Sequence, residues 1–140
     1  MAKNARFKTQ GQRKDTSKGE KDVARLLQQI FKFAQFYFEY PLTKFTNTDN
    51  ERLRCDIFCP TFNFVVEYQG AHHEKPVSYG NSEEEIMKSV EAFKERQRLD
   101  QMKRKLYEDA EVKYLEIDHT VWEGLKCDDD KRDFLMGLLW

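Results

Sequence analysis

The stretch from Leu53 to Gly70, LRCDIFCPTFNFVVEYQG, decides the fold. It reads as two short apolar strands joined by a turn at Pro60–Asn63, and each strand carries one acid where a pure core strand would carry another apolar residue. Side chains alternate along a strand, so Arg54, Asp56 and Phe58 are expected on one face of the first strand. Glu67 and Gln69 are expected on one face of the second. Paired strands run about 5 Å apart, which lets Asp56 and Glu67 point at one spot. Two carboxylates crowded on a half-buried sheet repel each other and lose hydration unless a cation lies between them. Hard oxygen ligands favour magnesium, calcium or manganese.

Working outward, Gly70 releases the chain into a loop through His72, His73, Pro76 and Gly80. Asn81 or Ser82 then caps a long helix whose expected buried stripe is Ile86, Val90, Phe93, Met102 and Leu106, and which ends within Tyr107–Ala110. Val112–Asp118 reads as a strand and Asp133–Trp140 as a short terminal helix. Upstream, Ser17-Lys-Gly-Glu20 has capping-box spacing, with Thr16 a competing cap. Val23, Leu26, Leu27, Ile30 and Phe31 follow at helical spacing. Gln35–Pro41 alternates, with Phe36, Phe38 and Tyr40 expected on one face, and Thr43–Glu51 is polar and loop-like. The order is helix, three strands, long helix, strand, helix: one small α/β domain.

A chain of 140 residues suits a single domain with a real core. The net charge of −1 selects neither a nucleic-acid nor a membrane partner by itself. The N-terminus differs from the whole. Lys3, Arg6, Lys8, Arg13, Lys14 and Lys18 face a single acid before Glu20, so residues 1–15 are expected to form a flexible basic arm on a domain of residues 16–140. Such an arm suits a solvated tail as well as it suits phosphate contacts. Cys55, Cys59 and Cys127 are an odd set without a secretory leader, which predicts a reduced, intracellular protein. The Cys55–Cys59 spacing is not that of a zinc finger, and no apolar run approaches the roughly 20 residues needed to span a bilayer.

Several pieces resemble the PD-(D/E)XK nuclease superfamily, in particular the branch of very short patch repair endonucleases and phage homing endonucleases with an E-D-x-H-D constellation. The pieces are Gly19-Glu20 at a helix start, Arg54-Cys-Asp-Ile-Phe58, Glu67-Tyr-Gln-Gly-Ala-His-His73, Arg98-Leu-Asp100 and the later strand Tyr114–Asp118. The resemblance implies a restriction-endonuclease-like mixed β-sheet flanked by helices, and an endonuclease that hydrolyses DNA phosphodiester bonds with Mg2+ or Mn2+. It implies Asp56, Glu67 and the Tyr68 carbonyl as metal ligands. Glu20 matches the helical glutamate that orders the site, Gln69 the motif lysine, and His73 and Asp100 the histidine and final aspartate. Lys14, Lys18, Lys103 and Arg104 are the expected nucleic-acid contacts. A cytoplasmic protein of a bacterial cell or phage-infected host, with a homodimer one option, is the setting it suggests.

The departures are specific. Cys55 rather than proline precedes Asp56, and Gln69 cannot supply a lysine's positive charge. His73 offers proton transfer in its place, since a neutral imidazole accepts a proton near pH 7. The repair branch's zinc-binding cysteines are absent after Gly70. Each residue also has a plainer reading. Asp56 can pair with Arg54, Glu20 can complete a capping box, and Asp100 can pair along its helix with the surrounding Arg96, Arg98, Lys103 and Arg104. Glu67, set between Val66 and Tyr68, is hardest to explain without a partner or a cation. The alternative to an enzyme is a non-catalytic nucleic-acid-binding or assembly subunit that keeps the fold.

Overall fold

The computed structural model describes residues 17–70 and 82–140. The basic arm with Lys14, and the loop with His72 and His73, lie outside the described residues. The first helix, α1, spans Lys18–Ile30 and starts where expected, with the Glu20 N–H donating to Ser17 Oγ at 3.1 Å. Strand β1 (Tyr37–Pro41) runs into a single 3-10 turn at Leu42–Lys44. The hairpin follows as β2 (Arg54–Cys59) and β3 (Phe64–Gln69). Asn63 turns it with a positive φ of 58°, a conformation that asparagine tolerates better than most residues. Helix α2 covers Glu83–Asp109, capped by Ser82, and leads to β4 (Lys113–Asp118). Two further helices close the chain, α3 (His119–Gly124) and α4 (Asp128–Leu139).

The strands form one mixed sheet in the order β1-β2-β3-β4, antiparallel except for the β3–β4 pair. A parallel pair needs a long crossover, and α2 provides it. Helices cover both faces. On one side Val23, Leu26 and Leu27 of α1 pack with Ile57, Val66 and Ile117, together with Trp122 and Leu135 of the last two helices. On the other, Leu99, Met102, Leu106 and Tyr107 of α2 pack over Cys55, Phe58 and Val65. The protein is thus an α/β domain with a four-stranded mixed sheet between helices. No described helix is long and apolar enough to cross a membrane.

Three expectations need correction. The terminal helix begins at Asp128 rather than Asp133, and α3 was not anticipated. The start of α3 is capped by Asp118, whose Oδ1 accepts the Thr120 N–H at 2.7 Å, so the last residue of β4 doubles as a helix cap. The α2 stripe is buried only in part: Met102 and Leu106 join the core, while Ile86 is 47% exposed. A helix of 27 residues is about 40 Å long, whereas a six-residue strand spans about 20 Å, so α2 overhangs the sheet it covers. The third correction concerns which residues share a sheet face, and it creates the site.

Candidate active site

Strands β1 and β2 pair at Tyr37–Phe58, Phe38–Ile57, Tyr40–Cys55 and Pro41–Arg54, and the pairing skips Glu39 and Asp56. At the skipped position Glu39 has a φ of 51°, which costs an L-residue roughly 1–2 kcal/mol. The interruption resets the alternation of both strands. Tyr37 and Tyr40, three residues apart, stack with ring centroids 4.6 Å apart on the α2 side, and Cys55 and Phe58 lie in the same cluster. Phe38 and Tyr40 therefore do not share a face, nor do Asp56 and Phe58. Asp56 and Glu39 turn instead toward the start of α1. There one carboxylate oxygen each from Glu20, Glu39 and Asp56 lies within 4.8 Å of the others.

Two of the three acids are buried and Asp56 is half-buried. Glu20 is 8% and Glu39 7% exposed. Past Ile57–Val66 the β2–β3 ladder stops, and the Tyr68 N–H donates to Asp56 Oδ2 at 2.8 Å. Burial pushes the Asp56 carboxyl well above its usual range, and the charges of Glu67 and Glu20 push further; the Tyr68 N–H and Lys103 act against them. This donor set consists only of oxygens. Its mutual repulsion is of the kind a hard divalent cation relieves, so the residues present fit magnesium or manganese.

Glu67 lies close enough to raise the Asp56 pKa but faces α2. Its Oε2 accepts the Tyr107 hydroxyl at 2.6 Å and pairs with Lys103 Nζ at 2.9 Å. Burial and the Glu67 charge keep the Tyr107 phenol protonated, so it can serve as that donor. Burial alone would lower the Lys103 pKa, but Glu67 and Asp56 outweigh it and hold the ammonium charged. The cation demanded by an acid between Val66 and Tyr68 is therefore, at Glu67, a lysine of α2. Arg54 does not satisfy Asp56 through the expected pairing; its guanidinium donates to the Glu39 carbonyl at 3.0 Å.

Gln69 lies on the α2 side, as does Glu67. Its Nε2 donates to Glu116 Oε2 at 2.9 Å, and Arg104 pairs with the same oxygen at 2.6 Å. Asp100 lines a cleft with Gln69, Gln97, Gln101, Arg104, Glu116 and Asp118, rather than joining the three-carboxylate group. Lys18 is exposed in the first turn of α1.

Gly19 explains the tight entry to α1. A Cβ there would meet the Tyr68 hydroxyl at 2.0 Å and its ring carbon at 2.2 Å. The tyrosine whose amide holds Asp56 thus lays its ring against the turn that carries Glu20. Two residues of this site were not singled out in the sequence: Glu39, hidden inside an alternating aromatic strand, and Tyr107. Lys103 was singled out as a phosphate contact rather than as the partner of Glu67. The charge of Glu39 among Phe36, Phe38 and Tyr40 was the available signal, since an acid on a buried strand needs a reason.

No known protein family matches the chain, and no solved structure matches it. The chain is similar to "Uncharacterized protein 307L" of Invertebrate iridescent virus 6, with 32% identity over 85 residues. That match covers 61% of this chain and 40% of the viral protein.

Proposed function

We propose that the protein is a divalent-metal-dependent endonuclease acting on DNA, with Glu20, Glu39 and Asp56 as its metal-binding group. The single observation behind this reading is the convergence of two buried carboxylates, Glu20 and Glu39, and the half-buried Asp56 at a break in the sheet. Asp56 and Glu20 are also two of the positions singled out by resemblance to the PD-(D/E)XK nucleases, and the mixed sheet between helices is compatible with that fold. When bound, magnesium or manganese supplies Lewis-acid stabilisation of a phosphoryl group and acidifies a water.

The remaining roles belong to the chain. Asp56, held by the Tyr68 N–H, keeps its carboxylate oriented toward the group at the α1 start. Lys103 places a half-buried positive charge against Glu67 and near enough to Asp56 to act on it, where it offsets their repulsion and can favour charge developing on a phosphate. It thereby supplies the charge that Gln69 lacks. Tyr107 fixes the Glu67 carboxylate from the other side.

Purified protein incubated with Mg2+ or Mn2+ and plasmid, linear and single-stranded DNA is expected to cut, with Asp56→Ala slowing the reaction by a factor on the order of 10² or more. Folded Asp56→Ala that cuts at the normal rate overturns the assignment. The Lys103–Glu67 pair also favours a second reading, a non-catalytic DNA-binding subunit in which a lysine has replaced the cation. DNA binding without cutting under either metal would select it.

A further inference from the structure

We propose that an aromatic surface at the far end of α1 stacks the bases of a single strand of DNA, whose phosphates follow the lysines of α1 away from the carboxylate group. This rests on the nuclease reading and names the form of substrate that the site would take. Phe31 closes α1 and joins it to two other elements. Its ring lies 5.1 Å from that of Phe62 in the β2–β3 turn and 5.7 Å from that of Trp140, which stacks on it from the end of α4. Phe64 holds the same ring from the core at 5.9 Å. Phe33, two residues on, is wholly exposed, while Trp140 is 78% and Phe62 57% exposed. These three rings leave on the order of a few hundred Å² of aromatic surface in water, the size of patch that marks an interaction site.

The neighbouring charges point to the partner. Lys32 adjoins Phe33, and Lys113 donates from Nζ to the Leu139 carbonyl beside Trp140 at 2.9 Å. Lys18, Lys21 and Arg25 follow one another on the exposed face of α1 at i, i+3 and i+7. Arg25 is held by Asp22 and Asp128, and Arg132 by Asp129, whereas Lys18, Lys21 and Lys32 make no ion pair among the described residues. The core of a protein–protein interface is poor in lysine. A single strand asks for the reverse, cations along its backbone and aromatic faces for its bases. In a duplex the bases already stack on one another, so protruding rings select unpaired ones.

The helix itself links this surface to the proposed metal group. Glu20 lies between Lys18 and Lys21 in sequence, and about 16 Å of helix separates it from Phe31. At about 3.4 Å per phosphate of a stacked strand, that distance is roughly five nucleotides. A strand held at the carboxylate group would therefore bring bases about five positions away onto Phe33, Phe62 and Trp140.

The test uses the full chain with calcium and a labelled single strand of about 15 nucleotides, beside the duplex of the same sequence, a length that covers both ends of the path. Fluorescence anisotropy gives affinity, and cutting by the wild type with magnesium or manganese is followed in parallel. The single strand is expected to bind about tenfold or more tighter than the duplex, and Phe33→Ala/Phe62→Ala should remove that advantage. Phe33→Ala alone, at a wholly exposed position, should remove about threefold or more of it, which keeps a readout if the double variant does not fold. Lys21→Gln/Lys32→Gln should lower the slope of log K against log salt on the single strand by about 1.4. No single-strand preference in the wild type, or one that survives the aromatic variants, overturns the proposal, and with cutting intact it leaves the nuclease reading standing. A preference that these variants remove, in a protein that cuts with neither metal, overturns the nuclease reading and keeps the surface. A dimer seen by light scattering that Phe33→Ala/Phe62→Ala dissociates without changing strand affinity gives the surface to a second copy and overturns the proposal.

Discussion

Lys103 Nζ and Glu67 Oε2 lie 2.9 Å apart beneath α2, and the same oxygen accepts the Tyr107 hydroxyl. The long crossover helix is thereby anchored to the middle of the sheet by polar contacts as well as by Leu99, Met102 and Leu106. The pairing also keeps a positive charge beside Asp56 without a lysine on β3.

Removing one partner of a buried pair leaves the other uncompensated, which costs about 3–5 kcal/mol. Lys103→Met should therefore destabilise the fold by that order in urea unfolding. Adding Glu67→Gln should recover a large part of the loss, because the neutral amide keeps a contact with Tyr107. A loss below about 1 kcal/mol, or no recovery in the double variant, would show that Lys103 is effectively solvated.

Asp56 behaves in the opposite sense. Its carboxyl is held in an environment that disfavours the charged form. Asp56→Asn keeps an acceptor for the Tyr68 N–H and deletes the charge, so the metal-free protein should melt higher than wild type at neutral pH. Millimolar Mg2+ or Mn2+ should raise the wild-type Tm and leave Asp56→Asn nearly unmoved, since only a site that binds the folded state is stabilised by its ligand. Equal metal-induced shifts in both proteins would remove Asp56 from the ligand set.

At Gly19 the close approach of Tyr68 makes a methyl group disruptive. Gly19→Ala raises helix propensity, which taken alone would stabilise by about 1 kcal/mol. Displacement of the Tyr68 ring should reverse that sign and weaken the metal-induced Tm shift along with it. Gly19→Ala paired with Tyr68→Leu should restore the helix gain. A stabilised single variant would mean that the ring moves aside at no cost.

The hairpin, both long helices and the general position of β4 were legible because each follows one strong local signal: apolar alternation, a serine cap with an acid three residues on, or a helical apolar repeat. The convergence of Glu20 and Asp56 was legible only through resemblance. The charge of Glu39 was visible but the face it takes was not, because alternation assumes unbroken pleating, and the positive φ at Glu39 breaks it. Lys103 was visible as a charge but not as a partner. Three cationic residues in succession, Lys103, Arg104 and Lys105, look alike along a sequence. Only the rotation of α2 over the sheet sends Lys103 inward to Glu67, Arg104 to Glu116 and Lys105 to Asp109.

Away from the site, Asp22 ties three helices together. Its Oδ2 accepts Lys131 Nζ of α4 at 2.6 Å and the Trp122 indole N–H of α3 at 3.2 Å, and its Oδ1 accepts Arg25 of α1 at 2.5 Å. Burial would raise the Asp22 pKa, but the hydrogen bonds and charges of Lys131 and Arg25 outweigh it and hold the carboxyl below 3.8. A depressed carboxyl contributes stability above its unfolded pKa and loses it as pH falls through the folded pKa. Asp22→Asn should therefore cost about 1–2 kcal/mol at neutral pH, and the gap to wild type should close only below about pH 4. Asp128 also titrates low because Arg25 holds it, but it is present in both proteins and largely drops out of the difference. Urea unfolding followed by tryptophan fluorescence across acid and neutral pH reads both quantities. A gap that stays constant down to pH values well below 3.8 would assign the loss to packing against Trp122 rather than to the charge of Asp22.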